Sequence, residues 1–339
     1  MKKGEFVISV ALAALVMTMF IMAQQHWQTP TFKAVAQHAE AYLLNHAKAS
    51  DGLPQLSGFD VARVYPLNYG LRAVLYRSKV VTLGFSPGRL IIYNRADQPL
   101  YAHDTLEGAR DNWTAIYDFA GRHGMPVTGG RPGPLFLRDI NGDGKTEMII
   151  GQYSGGDRCC TTLTVLEVNA HGLETIAHIQ GLNGWPFDGL EVRRLGHDRT
   201  WQLIVHRPVT TACGSRSDAA DVISIYAYGN GKYSNQTQKF STYLDGVLRE
   251  DLARWAREKS PPISLLQSLA ALYAELGQPD RAKKFFAQNL PHFVPQLQQQ
   301  GLDPNACLSD VNHLVDTLAK PPARGEAPRA LGTAVASVP

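Results

Sequence analysis

With 339 residues, of which 19% are charged, and a net charge of +3, the chain can bury a sizeable core. Its lysines and arginines are scattered singly with no basic stripe, which argues against a nucleic-acid partner. Four cysteines fit an oxidising compartment but are too few for a disulfide scaffold, and eleven histidines without HxH or HExxH spacing give a zinc enzyme no support.

Lys2 and Lys3 precede an uncharged apolar run from Phe6 to Ala23. The run is at the low end of the ~20 residues a spanning helix needs, and longer than the ~7–15 of a signal-peptide core. The leading lysines place Gln24 onward outside the cytoplasm by the positive-inside rule. Ile21-Met22-Ala23 is a poor cleavage site, so residues 1–23 are expected to remain as a transmembrane anchor with a periplasmic body. The alternative is a removed signal and a secreted body. Within residues 24–58, Thr31 to Lys48 sets Phe32, Val35, Ala39, Tyr42 and Leu43 on one face, an amphipathic helix.

From about residue 59 to 241 the texture is short β-type runs broken by Gly, Asn and Pro. Three hairpins look alike. Leu90–Tyr93 turns through Arg95-Ala96-Asp97-Gln98 to Leu100-Tyr101, and Leu163–Leu166 turns through Asn169-Ala170-His171-Gly172 to Leu173. Ile223–Tyr226 turns through Gly229-Asn230-Gly231 to Tyr233. Apolar runs at Glu147–Ile150 and Gln202–Val205 precede the second and third, giving a weak internal repeat. Asp104 to Gly130 is ambiguous: Leu106, Ala109, Trp113, Ile116 and Tyr117 keep helical spacing, but Gly108 interrupts it.

The chemistry concentrates in Asp139-Ile140-Asn141-Gly142-Asp143-Gly144-Lys145-Thr146-Glu147. Acidic or amide side chains stand at loop positions 1, 3, 5 and 9, with glycines at 4 and 6 where the backbone turns. Such spacing gathers hard oxygens around Ca2+, and Lys145 can add its carbonyl from position 7. An EF-hand is excluded, because Ile150 holds the place of its bidentate Glu and β-type runs flank the loop. An empty Asp/Asn/Gly-rich turn between two strands is the plainer alternative. The stretch from Pro134 to Val168 resembles the FG-GAP (VCBS) repeat of integrin-like β-propellers, with its pattern D-x-[DN]-x-D-G-x-x-[DE]. That resemblance implies Asp139, Asn141, Asp143 and Glu147 as side-chain ligands and the Lys145 carbonyl as another. Three units at this wide spacing do not make a full propeller, so a compact antiparallel domain of propeller-like sheets is expected.

Adjacent Cys159 and Cys160 point to opposite faces of a strand. The simplest pairing joins one of them to Cys213, although four cysteines leave three full connectivities open. No nucleophile elbow, Walker loop or dinucleotide fingerprint occurs. Asp157, Asp188, Glu191 and Asp198 are isolated acids that an alternative reading would recruit for hydrolysis.

Residues 242–319 read as helices. Leu244, Leu248, Leu252 and Trp255 form one stripe, and Ser260-Pro261 offers an N-cap and first-turn proline for the next helix. Gly277 stops that helix, Pro279 starts a third, and Asp303-Pro304 starts a fourth carrying Leu308, Val311, Val315 and Leu318. Leu272–Gly277 with Ala282 and Phe285-Phe286 resembles a single tetratricopeptide repeat at about 261–290, an interaction module. Residues 320–339, rich in Pro, Ala and Gly, read as a disordered tail. The expected fold is α+β: an antiparallel β-domain of propeller-like sheets, then a small helical bundle, behind an N-terminal transmembrane helix. The expected function is binding of a protein or envelope partner, with Ca2+ in a structural role.

Overall fold

The short β-type runs read at residues 90–93, 147–150, 163–166, 202–205 and 223–226 each lie in a strand of an up-and-down meander. The computed structural model describes residues 53–79, 88–103, 113–116, 137–153, 161–182, 189–196 and 199–320. The first sheet takes β1 (Phe59–Pro66), β2 (Arg72–Ser78), β3 (Gly88–Tyr93) and β4 (Pro99–His103). The second takes β5 (Trp113–Ile116), β6 (Thr146–Tyr153), β7 (Thr161–Asn169) and β8 (Gly172–Leu182). The third takes β9 (Leu190–Arg193), β10 (Gln202–Val209), β11 (Ala220–Gly229) and β12 (Lys232–Asn235). All three sheets have four strands in chain order, every pairing is antiparallel, and among the described residues none closes into a barrel or propeller.

The three hairpins recognised in the sequence are the last two strands of the three sheets. Their turns follow the residues. Asn230 and Gly231 both adopt positive φ, which suits a two-residue turn between right-twisted strands. Asn94 and Asn169 instead fold their side-chain oxygens onto amides two residues on, Ala96 and His171. The helical spacing around Trp113 is overruled: Trp113–Ile116 is a strand on the outer edge of β6. Pairing with an apolar strand decides the matter there, over a periodicity that Gly108 already weakens.

The sheets stack face to face. Tyr65, Ala73, Leu90 and Ile92 of the first sheet pack on Met148, Ile150, Leu166 and Val168 of the second. The opposite face of the second sheet, Ile149, Leu163 and Val165, packs on Leu203, Val205 and Tyr226 of the third. β7 is therefore buried on both faces and reads as a continuous apolar run. The outer face of the first sheet (Val74, Tyr76, Ile91, Tyr93) is met by Leu53 and Leu56, and Tyr76 donates its hydroxyl proton to the Pro54 carbonyl.

Helices complete the stack: α1 (Ser241–Arg257), α2 (Ile263–Glu275), α3 (Pro279–Asn289), α4 (Val294–Gln299) and α5 (Pro304–Leu318). Their core is continuous with Ile204, Ile223 and Ile225 of the third sheet. α2 is buried almost all round, because it lies along the edge of β11 that β12 leaves open beyond Tyr226. Ala220 and Val222 from one face of β11, and Ile223 and Ile225 from the other, both reach helical partners. The strand's free backbone is served by hydroxyls: the Asp221 amide donates to Ser268 and the Ile225 amide to Thr237. Covering an edge this way removes a template for pairing with other chains. Gln267, fully buried, donates to the Asp218 carbonyl and accepts from Thr211, so its polarity serves the β10–β11 loop.

Helix ends mostly follow the sequence. Gly277 (φ +72°) terminates α2, Pro279 opens α3, and the Asp303 side chain accepts from the Asn305 amide ahead of Pro304. Ser260 caps nothing; α2 begins later, at Ile263, because consecutive Pro261 and Pro262 hold the chain extended. The cysteine pairing also differs from the expectation. Cys213 is bonded to Cys307 on α5 with Cα atoms 4.4 Å apart, and the Ala212 amide beside it donates to Asp310. No helix among the described residues is long and apolar enough to cross a membrane. The apolar run Phe6–Ala23, the amphipathic stretch Thr31–Lys48, Cys159-Cys160 and residues 321–339 lie outside the described residues.

Candidate metal centre

The Asp139–Glu147 loop is pinched at its base by two backbone hydrogen bonds between Arg138 and Glu147, of 3.1 and 2.9 Å. Gly142 (φ +80°) and Gly144 (φ +87°) supply the left-handed turns that positions 4 and 6 require. Asp139 accepts from the Gly142 amide at 2.6 Å and the Gly144 amide at 3.1 Å. Asn141 accepts from Asp143, and Asp143 from Lys145, each across two residues. The loop is thus preshaped by its own side chains.

Glu147, the second residue of β6, folds back beneath the loop. One oxygen accepts from the Ile140 amide at 2.7 Å and the Asn141 amide at 3.3 Å. Its other oxygen is buried without any hydrogen-bond partner. The β6–β7 register then sets Glu167 directly opposite Glu147. Both are essentially excluded from solvent, at 0% and 2% exposure, on the face turned toward the third sheet. Two like charges at directly opposed positions repel, and their burial compounds the cost. Burial pushes the Glu147 carboxyl up to about 8, with Asp143 and Asp139 adding to the rise against the two amide bonds.

Oxygens of Asp143, Glu147 and Glu167 lie within 4.8 Å of one another. Ligands at 2.3–2.6 Å around one hard cation span about this distance. A buried Glu147 oxygen without a hydrogen-bond partner, in one of the three converging acids, is the observation that the donor set fits a cation. Of the residues the sequence singled out, Asp143 and Glu147 converge here, whereas Asp139 and Asn141 direct oxygens at loop amides. Glu167 was missed. Its signal was a carboxylate inside the apolar run Leu163–Val168, which points at Glu147 only once the strand register is known.

Lys145 lies over the cluster. Its ammonium hydrogen-bonds Glu167 and stands 3.4 Å from Asp143, and the Glu167 bond holds it well above the usual lysine range. At Asp143 burial opposes ionisation, yet the Lys145 amide and ammonium prevail and hold its carboxyl below the ordinary value.

The loop is also the joint between the second and third sheets. The Ile140 carbonyl accepts from the Trp201 amide at 2.7 Å, and the Tyr233 hydroxyl lies 3.1 Å from it and from the Trp201 carbonyl. Arg138 and Arg194 lie over the Trp201 ring, at 4.2 and 5.2 Å from its centroid. A Cβ added at Gly142 would meet Arg199 at 3.4 Å, so the loop seats closely on the β9–β10 connection.

Of the isolated acids considered for hydrolysis, Glu191 alone falls among the described residues. It stands on β9 beside His206 of β10, 3.6 Å from one ring nitrogen, while Asp221 of β11 is 2.8 Å from the other. Burial alone would depress His206, but the hydrogen bonds and charges of these two acids outweigh it and push the imidazolium to about 10. The His206 bond holds Glu191 below its ordinary value, against burial. Arg193, Tyr243 and Asp251 also interact with this cluster. The His206 value rises from 6.5 on folding, so its stabilisation is fully present below pH 6.5 and lost as pH rises through about 10. The Glu191 contribution is present above pH 4.5 and lost on acidification. We expect His206→Gln to lower stability by about 1 kcal/mol near pH 6 and to leave it unchanged above the alkaline limb. Urea unfolding across pH measures this; equal losses at both ends would refute the ionic account.

Comparison with known proteins gives no match for this chain, whether with protein-family models, curated proteins or solved structures.

Proposed function

We propose that this chain is a non-catalytic binding protein of the extracytoplasmic side, anchored by its N-terminal apolar run, whose β-domain is fastened by a structural Ca2+. The carrying observation is the buried pair Glu147 and Glu167, converging with Asp143 at the joint between two sheets. A divalent ion there would neutralise the opposed carboxylates and bind the loop to the stack, with Asp139, Asn141 and the Lys145 carbonyl as further loop donors. All-oxygen donors favour Ca2+ over a transition metal. Two of the three acids, Glu147 and Glu167, are buried in an interior seam, which suits fastening rather than turnover of a substrate.

The FG-GAP-like spacing supports the same reading, as does the succession of four-stranded meanders, the unit that propellers repeat radially. The α2–α3 pair, packed through Ala282 and Phe286, carries the tetratricopeptide-like residues, and both resemblances are to interaction modules. The partner is taken to be a protein or another envelope component.

Calorimetric titration of the full chain with Ca2+, beside Asp143→Ala, tests the metal. We expect heat of binding from the parent and a loss of about tenfold or more in the variant's affinity. Indifference of both proteins to Ca2+ would reduce Asp139–Glu147 to a turn and remove the main support for this function.

A further inference from the structure

The acidic cluster already contains one cation, and it belongs to the chain. The Lys145 ammonium hydrogen-bonds Glu167 and reaches to 3.4 Å from Asp143, two of the three converging acids. It leaves the third, fully buried Glu147, with one oxygen unpartnered. A tethered single charge thus satisfies the outer part of the cluster and leaves the inner part uncompensated. That geometry suits a resident substitute that a smaller, doubly charged ion can replace.

We propose that Lys145 is a built-in competitor for the metal, and that Glu167, contributed by β7 from outside the loop, is the ligand for which the two compete. This rests on the cluster being a metal site. When the ion enters, Glu167 and Asp143 turn from the ammonium to the metal, and Glu147 gains the partner it lacks. The Lys145 side chain, already 44% exposed, swings into water. Its backbone remains at position 7, where the carbonyl can still face the ion. The metal-free loop stays partly neutralised by its own lysine, and affinity is set below what the carboxylates alone would give. The lysine is therefore a threshold element: the site fills only where the free divalent cation is concentrated enough to displace it.

The competition fixes opposite signs for two substitutions. Full-length parent, Lys145→Met and Glu167→Gln are titrated with Ca2+ alone and followed by calorimetry, with circular dichroism confirming each fold. Removing the competitor should tighten Ca2+ binding by about tenfold, the order expected when one opposing charge leaves a partly buried site. Removing the contested ligand should weaken it by about tenfold or more. A merely structural lysine–glutamate bridge would weaken binding in both variants, and that result overturns the proposal, as does equal affinity of Lys145→Met and parent. In both cases the metal site itself would survive. Binding by Lys145→Met but not by parent would uphold the competition and refute a resident Ca2+. Binding by neither would end both readings.

Discussion

Replacing Cys213 and Cys307 together by alanine should lower the unfolding free energy by about 2–4 kcal/mol, the usual worth of a disulfide closing a long loop. The residues are 94 apart in sequence and both are fully buried, joining the loop after β10 to α5. Without the bond, the helical layer keeps the Thr211–Gln267 and Ala212–Asp310 hydrogen bonds and its apolar contacts, so the native fold persists. The open chain, however, regains the freedom that the loop had removed. For a chain of this size the melting temperature should fall by roughly 3–6 °C, and reducing agent should bring the parent down by a similar amount. A loss under about 0.5 kcal/mol would show that polar clamping alone fixes the joint.

The second large effect concerns Glu147 and changes sign with the solvent. In chelator and above about pH 8, where Glu147 ionises, Glu147→Gln should stabilise the protein by about 1 kcal/mol, because it removes a buried charge opposed to Glu167. The amide oxygen can still accept from Ile140 and Asn141, so the turn above it stays supported. At a Ca2+ concentration about 100 times Kd, the parent should gain about 2.7 kcal/mol and the variant far less, reversing their order. Thermal melts of both proteins in chelator and in Ca2+ give the four values. A variant less stable than the parent in both solvents would mean that Glu147 is a structural hydrogen-bond acceptor and no ligand.

The loop was legible in the sequence because its chemistry is local: the turn glycines, the alternating acceptors and the flanking β runs all fall within one short stretch. Hairpins and most helix ends were legible for the same reason, through Asn230-Gly231, Gly277 and Asp303-Pro304. What escaped depends on register or on distant partners. Glu167 becomes a site residue because β7 pairs with β6 in one register and no other. Cys213 looked toward the neighbouring β-segment, yet its partner arrives from the last helix. Trp113 kept a helical rhythm that an edge pairing overrode. The stacking of three sheets was also hidden, since a strand buried on both faces loses the alternation that would show its two sides.

The open edge of β11 gives the order of synthesis a meaning for this protein. Until α2 has emerged, a nascent chain carries bare backbone beside Ala220–Ile225 and two apolar strips with nothing over them. At ~5–20 residues per second that exposure lasts seconds, long enough for neighbouring chains on a polysome to meet. Truncations ending before Glu275 should therefore accumulate as aggregates rather than as a free β-domain. Protection during biogenesis falls to whatever holds this stretch while the helix is still being made.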